Sequence, residues 1–482
     1  MAKTQHSLET LLTSSGMPGL RRTAAAVMTL AFPAIVEQVM LTLVQYIDTA
    51  MVGSLGSAAT AAVGLTASTT WLIGGFLNAA AVGFSVQVAQ HIGAGRAQRA
   101  REVTGQALQF IVWFGLLIGA LAVGLSWPLP YWLHADPEII QPASLYFRIV
   151  SCAVPFNFCV MMLSSILRCA GDTKTPMLLN LLVNVLNIIF NFFFIYPTRT
   201  MTLGSKTFTM VGAGLGVAGA AWGSLLSLLV VSLLFLAVLY GKKSPVRPER
   251  GQKYRFQRDC LSTAWRLGVP VALERSLMSM AQIVITGLIS GISMVAVAAN
   301  HLAVTAESLS YMPAYGVAAA ATTMVGQALG AGRKDLARRF GTIVTAVGVL
   351  IMTVGGVLLF VFARQLIMLF TPDEETIALG MQVLRIVAFA EPFFAMGIVI
   401  TGVLRGAGDT RAPFLICLIT MWGVRITLSF LLAKPLGLVG VWIAMAIELV
   451  VRGVLFLVRQ LSGRWLEVSL FAKTADMPQS AE

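Results

Sequence analysis

Ionisable side chains are scarce within the apolar runs of this chain: Glu37, Asp48, Glu274, Arg275, Glu307, Glu391, Arg425, Glu448 and Arg452. A charge at the centre of a lipid-spanning helix costs about 2.5–3.5 kcal/mol even on insertion scales, so each is a candidate for chemistry. Asp48 is the most informative. Asn187 and Asn191 stand four residues apart on one helical face, in a run that also holds Asn180 and Asn184. Helical rise from the basic end of each span puts Asp48 and Asn191 at similar depth. A carboxylate with amide oxygens can hold a hard cation such as Na+, and the same carboxylate can instead take up a proton. The competing reading is a hydrogen-bonded packing cluster without an ion. Glu391, Glu448 and Arg452 read as groups paired within the bundle or near a helix end.

Glu37 and Glu274 each follow a proline, Pro33 and Pro270, by one helical turn. A proline inside a span loosens the backbone ladder and kinks the helix, so an acid beside it can line a cavity. The alternative is that each acid bonds the freed backbone or a neighbouring helix.

These pairs belong to a repeat. Arg168-Cys-Ala-Gly-Asp-Thr-Lys-Thr-Pro176 recurs as Arg405-Gly-Ala-Gly-Asp-Thr-Arg-Ala-Pro413, and 405 − 168 = 237. The same offset relates Gln45 to Gln282, Gly93-Ala-Gly-Arg96 to Gly330-Ala-Gly-Arg333, and Pro155-Phe156 to Pro392-Phe393. The chain is therefore read as a tandem duplication. Asp48, Asn187 and Asn191 break the pattern, because their mates are Ile285, Val424 and Leu428. An acid kept in one half only implies an asymmetric task. The glycines of the two loop motifs suit tight turns, and Asp172-Thr173 and Asp409-Thr410 suit helix starts.

The 482 residues are 57% hydrophobic and 11% charged, far below the roughly 25% charged residues of soluble domains. The composition predicts an all-α membrane protein, and it excludes barrel strands, which alternate every second residue. No cleavable signal peptide is expected, since the first residues are polar and the first apolar run is too long. The net charge of +13 lies in short loops, so it reports membrane orientation and not nucleic-acid binding. Five cysteines at scattered spacing give neither a disulfide framework nor a zinc site. No phosphate-binding loop suggests an ATP-driven pump.

Twelve spans are expected, over 26–52, 57–90, 104–127, 140–168, 176–196, 215–240, 262–290, 295–328, 341–364, 378–405, 413–433 and 438–460. Each reaches the ~20 residues a bilayer core requires. Basic loops alternate with acidic or neutral ones, which predicts that both termini are cytoplasmic. Six spans per half is an even number, so both halves enter the membrane in the same direction. The result is two pseudo-symmetric six-helix bundles, a parallel internal repeat: an N-lobe over 1–245 and a C-lobe over 246–482. An insertion of 16 residues near Pro197–Ala213 distinguishes the first half: Gly216 matches Gly437, and 237 − (437 − 216) = 16.

This plan, with Asp48-Thr-Ala-Met-Val-Gly53 closing span 1 and the paired Arg-x-Ala-Gly-Asp-Thr turns, resembles the multidrug and toxic compound extrusion (MATE) family over about residues 25–460. The resemblance implies a cation-coupled efflux antiporter whose two lobes open alternately to either side. By resemblance Asp48 is the first-helix acid of an N-lobe cation site, Asn187 its asparagine and Ser224 its span 6 hydroxyl. Asn191 falls where the DinF branch has aspartate, so the chain is closer to the NorM branch there. Two NorM acids are missing: the span 7 acid aligns with Met278, one turn after Glu274, and the span 10 aspartate with Phe394. The N-lobe site is therefore favoured over a C-lobe one.

The expectation is a non-enzymatic inner-membrane antiporter that works as a monomer in the lipid bilayer. It exports amphipathic organic cations in exchange for Na+ or H+ and needs no other cofactor. Asp48, Asn187, Asn191 and Ser224 would couple the ion. Asp48, Asn187 and Asn191 would ligate it if it is Na+. Glu37, Glu274, Gln282, Met278 and Tyr46, on spans 1 and 7, would form the substrate cleft. A lipid-linked precursor flippase would need a more arginine-rich cleft, and a channel fits a duplicated two-lobe plan poorly.

Overall fold

In the computed structural model residues 8, 10–13, 16–133, 135–203, 206–241, 244–248 and 256–468 are described. His134 and most of the polar linker between the halves lie outside them.

Long apolar runs become helices because lipid offers no partner for backbone N–H and C=O groups, and a helix satisfies them internally. The first half comprises α1 (Leu20–Gly53), α2 (Ser57–Gly93), α3 (Ala97–Leu125), α4 (Pro137–Cys152 and Val154–Cys169), α5 (Lys174–Ile195) and α6 (Val217–Tyr240). The second comprises α7 (Arg258–Ser290), α8 (Met294–Gly330), α9 (Lys334–Val361) and α10 (Glu374–Ala388 and Glu391–Ala407). Helix Arg411–Leu461 follows, and its 51 residues are too many for one crossing. Gly437, at φ 57° and ψ −137°, breaks it into α11 (411–436) and α12 (437–461). That backbone conformation is open to glycine and closed to residues with a Cβ.

Helices α4 and α10 are bent by 45° and 59°. Pro155 and Pro392 stand second in the segment after each break, where a missing N–H costs nothing. Helix α8 is too poor in large side chains for hydropathy alone to identify it. Its buried positions are mostly alanine, glycine, serine and threonine, the residues that let membrane helices approach closely.

The inserted segment forms an antiparallel hairpin, β1 (Pro197–Leu203) with β2 (Lys206–Ala213). The outward faces are apolar at matching positions of the two halves: Trp113 and Leu350, Leu117 and Val354, Leu121 and Leu358 are all exposed. Such continuous apolar surface is what a bilayer covers.

One core cluster is built chiefly from α2, α3, α4 and α6, and two others from the second half. The first helix of each half crosses over. Val27 and Leu30 of α1 join a second-half core, and Cys260 and Ala264 of α7 join the first-half core. Where the basic loops emerge, two reciprocal hydrogen bonds tie the halves together. Gln90 Nε2 donates to the Gly406 carbonyl at 3.0 Å, and Gln327 Nε2 donates to the Cys169 carbonyl at 2.8 Å. Both partners are one repeat apart. Glycine permits this approach: a Cβ on Gly93 would lie 2.0 Å from the Gln327 carbonyl oxygen, and one on Gly330 would lie 2.0 Å from that of Gln90. The turns themselves use Gly95 and Gly332, at φ 69° and 72°.

Candidate functional site

Helices α1, α5 and α6 bring Asp48, Asn187, Asn191 and Ser224 together. Asn191 Nδ2 donates to Asp48 Oδ1 at 2.9 Å and to Asn187 Oδ1 at 3.0 Å. Asn187 Nδ2 donates to Ser224 Oγ at 3.0 Å. Gly223 makes room, since a Cβ there would stand 2.1 Å from Asn191 Oδ1. With Asn187 in this orientation, its Oδ1 faces the two Asp48 oxygens at 2.7 and 3.0 Å. Two acceptors at that distance mark an amide that is turned over to donate. With the amide turned over, Asn187 Nδ2 donates to Asp48 Oδ1 at 2.7 Å and Oδ2 at 3.0 Å, and its Oδ1 accepts from Ser224 Oγ at 3.0 Å, so the contact is satisfied within the cluster. The repeat mate of Asp48, Ile285, is buried in an apolar core of the other half.

A cavity of about 460 Å³ lies between the halves. None of the four cluster residues lines it. Of the five residues expected in a cleft, Glu274 and Met278 line it, while Glu37, Tyr46 and Gln282 do not. Glu37 is held behind the wall, where it accepts from Arg168 at 2.6 Å and from Asn180 Nδ2 at 2.8 Å. Tyr46 uses its hydroxyl to reach α8, donating to the Thr305 carbonyl at 2.8 Å, with Ser308 Oγ at 2.6 Å. Gln282 sits on an exposed face of α7.

Glu274 is at the cavity wall but is not free, because Arg405 donates to both its oxygens at 3.0 Å. The two pairs are repeat mates, with 168 − 37 = 131 and 405 − 274 = 131. Arg168 and Arg405 read as loop residues in the sequence, yet they stand in the last turns of α4 and α10 as largely buried ion-pair partners. The signal was present: acid and arginine are both kept in both halves. The turns after them behave as expected. Asp172 accepts from the Thr175 N–H at 3.1 Å and Asp409 from that of Ala412 at 3.3 Å, and Arg459 also binds Asp409.

The remaining charges gather in the second half. Glu391 accepts from Ser310 Oγ at 2.8 Å, Glu448 stands 3.3 Å from Arg452, and Glu307 is fully buried nearby. Arg425 is carried on a π-helical stretch, Ile419–Ile426, a local widening that interrupts regular packing. The Arg452 guanidinium lies 5.5 Å from the Phe394 ring centroid, so Phe394, the aligned position of an absent acid, belongs to a cation–π contact.

A family model described as MatE matches the chain twice, over residues 33–193 and 270–431. The two matches begin 270 − 33 = 237 residues apart, the repeat offset. The chain is 30% identical over 445 residues to the "Probable multidrug resistance protein NorM" of Thermotoga maritima, covering 90% of this chain and 92% of that one. It is 25% identical over 455 residues to the "Multidrug resistance protein MdtK" of Edwardsiella ictaluri, covering 92% and 96%. Among solved structures, the outward-facing conformation of a multidrug resistance MATE family transporter of the MOP superfamily superposes with a TM-score of 0.86 at 23% identity, over 97% of this chain and 99% of that one. A MOP superfamily transporter from Pyrococcus furiosus, described as having a binding pocket of reverse polarity, gives 0.84 at 22% identity, over 97% and 99%.

Proposed function

This chain belongs to the MATE family, and on that premise we propose that it is a multidrug efflux antiporter in which one ion held at Asp48 drives alternating access of the cavity between the lobes. The gathering of Asp48 with Asn187, Asn191 and Ser224 in one half only, where the repeat mate of the acid is Ile285, supports this reading. A proton or Na+ is the charge that such a carboxylate can take up. The ion drives transport only if one lobe arrangement binds it more tightly than the other, since equal affinity shifts nothing. Ion and cargo act at separate places, because the Asp48 cluster does not line the cavity.

The lobes are assigned to residues 1–245 and 246–482. The basic loops are assigned to the cytoplasm, with the protein a monomer in the inner membrane. In that orientation the Gln90 and Gln327 bonds close the cytoplasmic end. Amphipathic organic compounds suit the cavity, whose wall combines Trp71, Tyr311, Phe394 and Phe456 with a few polar groups. The two acids expected in the cleft, Glu37 and Glu274, are both bound by arginine. A flippase for lipid-linked precursors is not favoured by the relatives' names. The test is reconstitution in liposomes with drug efflux followed under separate Na+ and proton gradients. Efflux driven by neither would contradict the proposal.

A further inference from the structure

Four arginines line the cavity, against one acid. Three are neutralised within hydrogen-bonding or ion-pair distance: Arg168 by Glu37 at 2.6 Å, Arg405 by Glu274 at 3.0 Å and Arg452 by Glu448 at 3.3 Å. Arg275 has no acid, hydrogen-bond acceptor or ring partner among the described residues. The cavity wall therefore carries one uncompensated positive charge.

The fold makes room for it. Gly75 of α2 lies between the lining residues Trp71 and Asn78, one turn from each, and a Cβ on Gly75 would stand 3.3 Å from Arg275 Cβ. The repeat mates of this pair are Gln38 and Met312, and both line the same cavity. One contact between the halves thus sets a glycine of α2 against an arginine of α7, where the mated positions on α8 and α1 hold a methionine and a neutral amide. A packing role does not need a guanidinium at this place, as Gln38 shows. Arg275 is half-buried on the cavity wall, where its guanidinium can take a cargo anion through a charge-assisted, bidentate contact. Aromatic surface stands in the same cavity: the Tyr311 ring is 5.4 Å from that of Phe394 and 6.1 Å from that of Tyr315.

We propose that the cavity selects aromatic amphiphiles carrying a carboxylate, as anions or zwitterions, and that Arg275 is the residue that holds the carboxylate. This rests on the efflux reading above but concerns only the cargo's charge.

The probes are rhodamine B, which has a free carboxylate, and its ethyl ester, which keeps the same rings and cationic centre. Equilibrium binding to the purified full-length protein in detergent, read by fluorescence anisotropy, needs no gradient and is independent of coupling. The wild type should bind the acid about tenfold more tightly than the ester, as expected for one charge-assisted contact. Arg275→Gln, which installs the residue of the repeat mate, should weaken only the acid and erase the preference. Arg275→Lys should recover part of it. Equal binding of the two dyes by the wild type, tighter binding of the ester, binding of neither dye, or equal loss of both in Arg275→Gln would overturn the proposal. Preserved selectivity in binding with no efflux of either dye under any gradient would instead fault the transport reading.

Discussion

At the scale of the residue, partnership decides what an acid can do. Glu274 and Arg405 are 5% and 13% exposed as side chains, so removing one partner strands the other charge in a poorly solvated place. Glu274→Gln should therefore cost about 3–5 kcal/mol of stability, and the double change Glu274→Gln with Arg405→Gln should recover much of it. Thermal unfolding in detergent of the two single variants and the double variant checks this. Additive losses would show that the pair does not act as a unit. The sequence made Asp48 legible because the duplication supplies its own comparison: an acid facing Ile285 across the repeat stands out. Glu37 misled for the opposite reason. A proline one turn earlier suggests a cavity, but nothing local shows that an arginine 131 residues further on reaches back to it. Side-chain direction on a helix is set by neighbours that sequence spacing does not identify.

Among the elements, the helix crossing of α2 and α8 is the part most directly tied to motion. Its two glycine contacts, with the bonds from Gln90 of α2 to α10 and from Gln327 of α8 to α4, must part if the cavity is to open at the basic end. A Cβ at Gly330 would collide with the Gln90 backbone, so Gly330→Ala should hold that end apart. The buried Cys169 thiol, next to the bond from Gln327, reports it. Labelling after denaturation, which opens every thiol, serves as the internal control. Mass-spectrometric mapping of maleimide labelling should show Cys169 protected in the wild type and at least about threefold more reactive in Gly330→Ala and in the Gln90→Ala, Gln327→Ala double variant, a loss of under 1 kcal/mol of closed-state preference. Unchanged protection would mean that this crossing is not the closure. The spans themselves were legible to within a few residues, because about 20 apolar residues can do little else in lipid. Helices α3 and α9 begin earlier than expected, at Ala97 and Lys334, since their polar first turns favour helix although they do not favour lipid. The bends of α4 and α10 were not foreseen. Pro155 and Pro392 mark the places, but their angles follow from packing.

For the molecule as a whole, the duplication predicts two like halves, and the structure adds that their first helices are exchanged at the basic end. Orientation rests on loop charge. A fluorescent protein that matures only in the cytoplasm should glow when fused after α12, whereas a phosphatase active only outside should be silent there. The reverse pattern would invert the direction assigned to transport. The central claim is that one ion at Asp48 powers export. Asp48→Asn is nearly isosteric and preserves a hydrogen bond to Asn191, so the protein should fold and still bind rhodamine B. It should lose gradient-driven efflux, because a neutral amide gains nothing from a bound proton or cation. The direct measurement is efflux by purified Asp48→Asn in liposomes with the gradient that drives the wild type. The account predicts a rate below about a hundredth of wild type, the effect of losing roughly 2.7 kcal/mol. Undiminished efflux would contradict it.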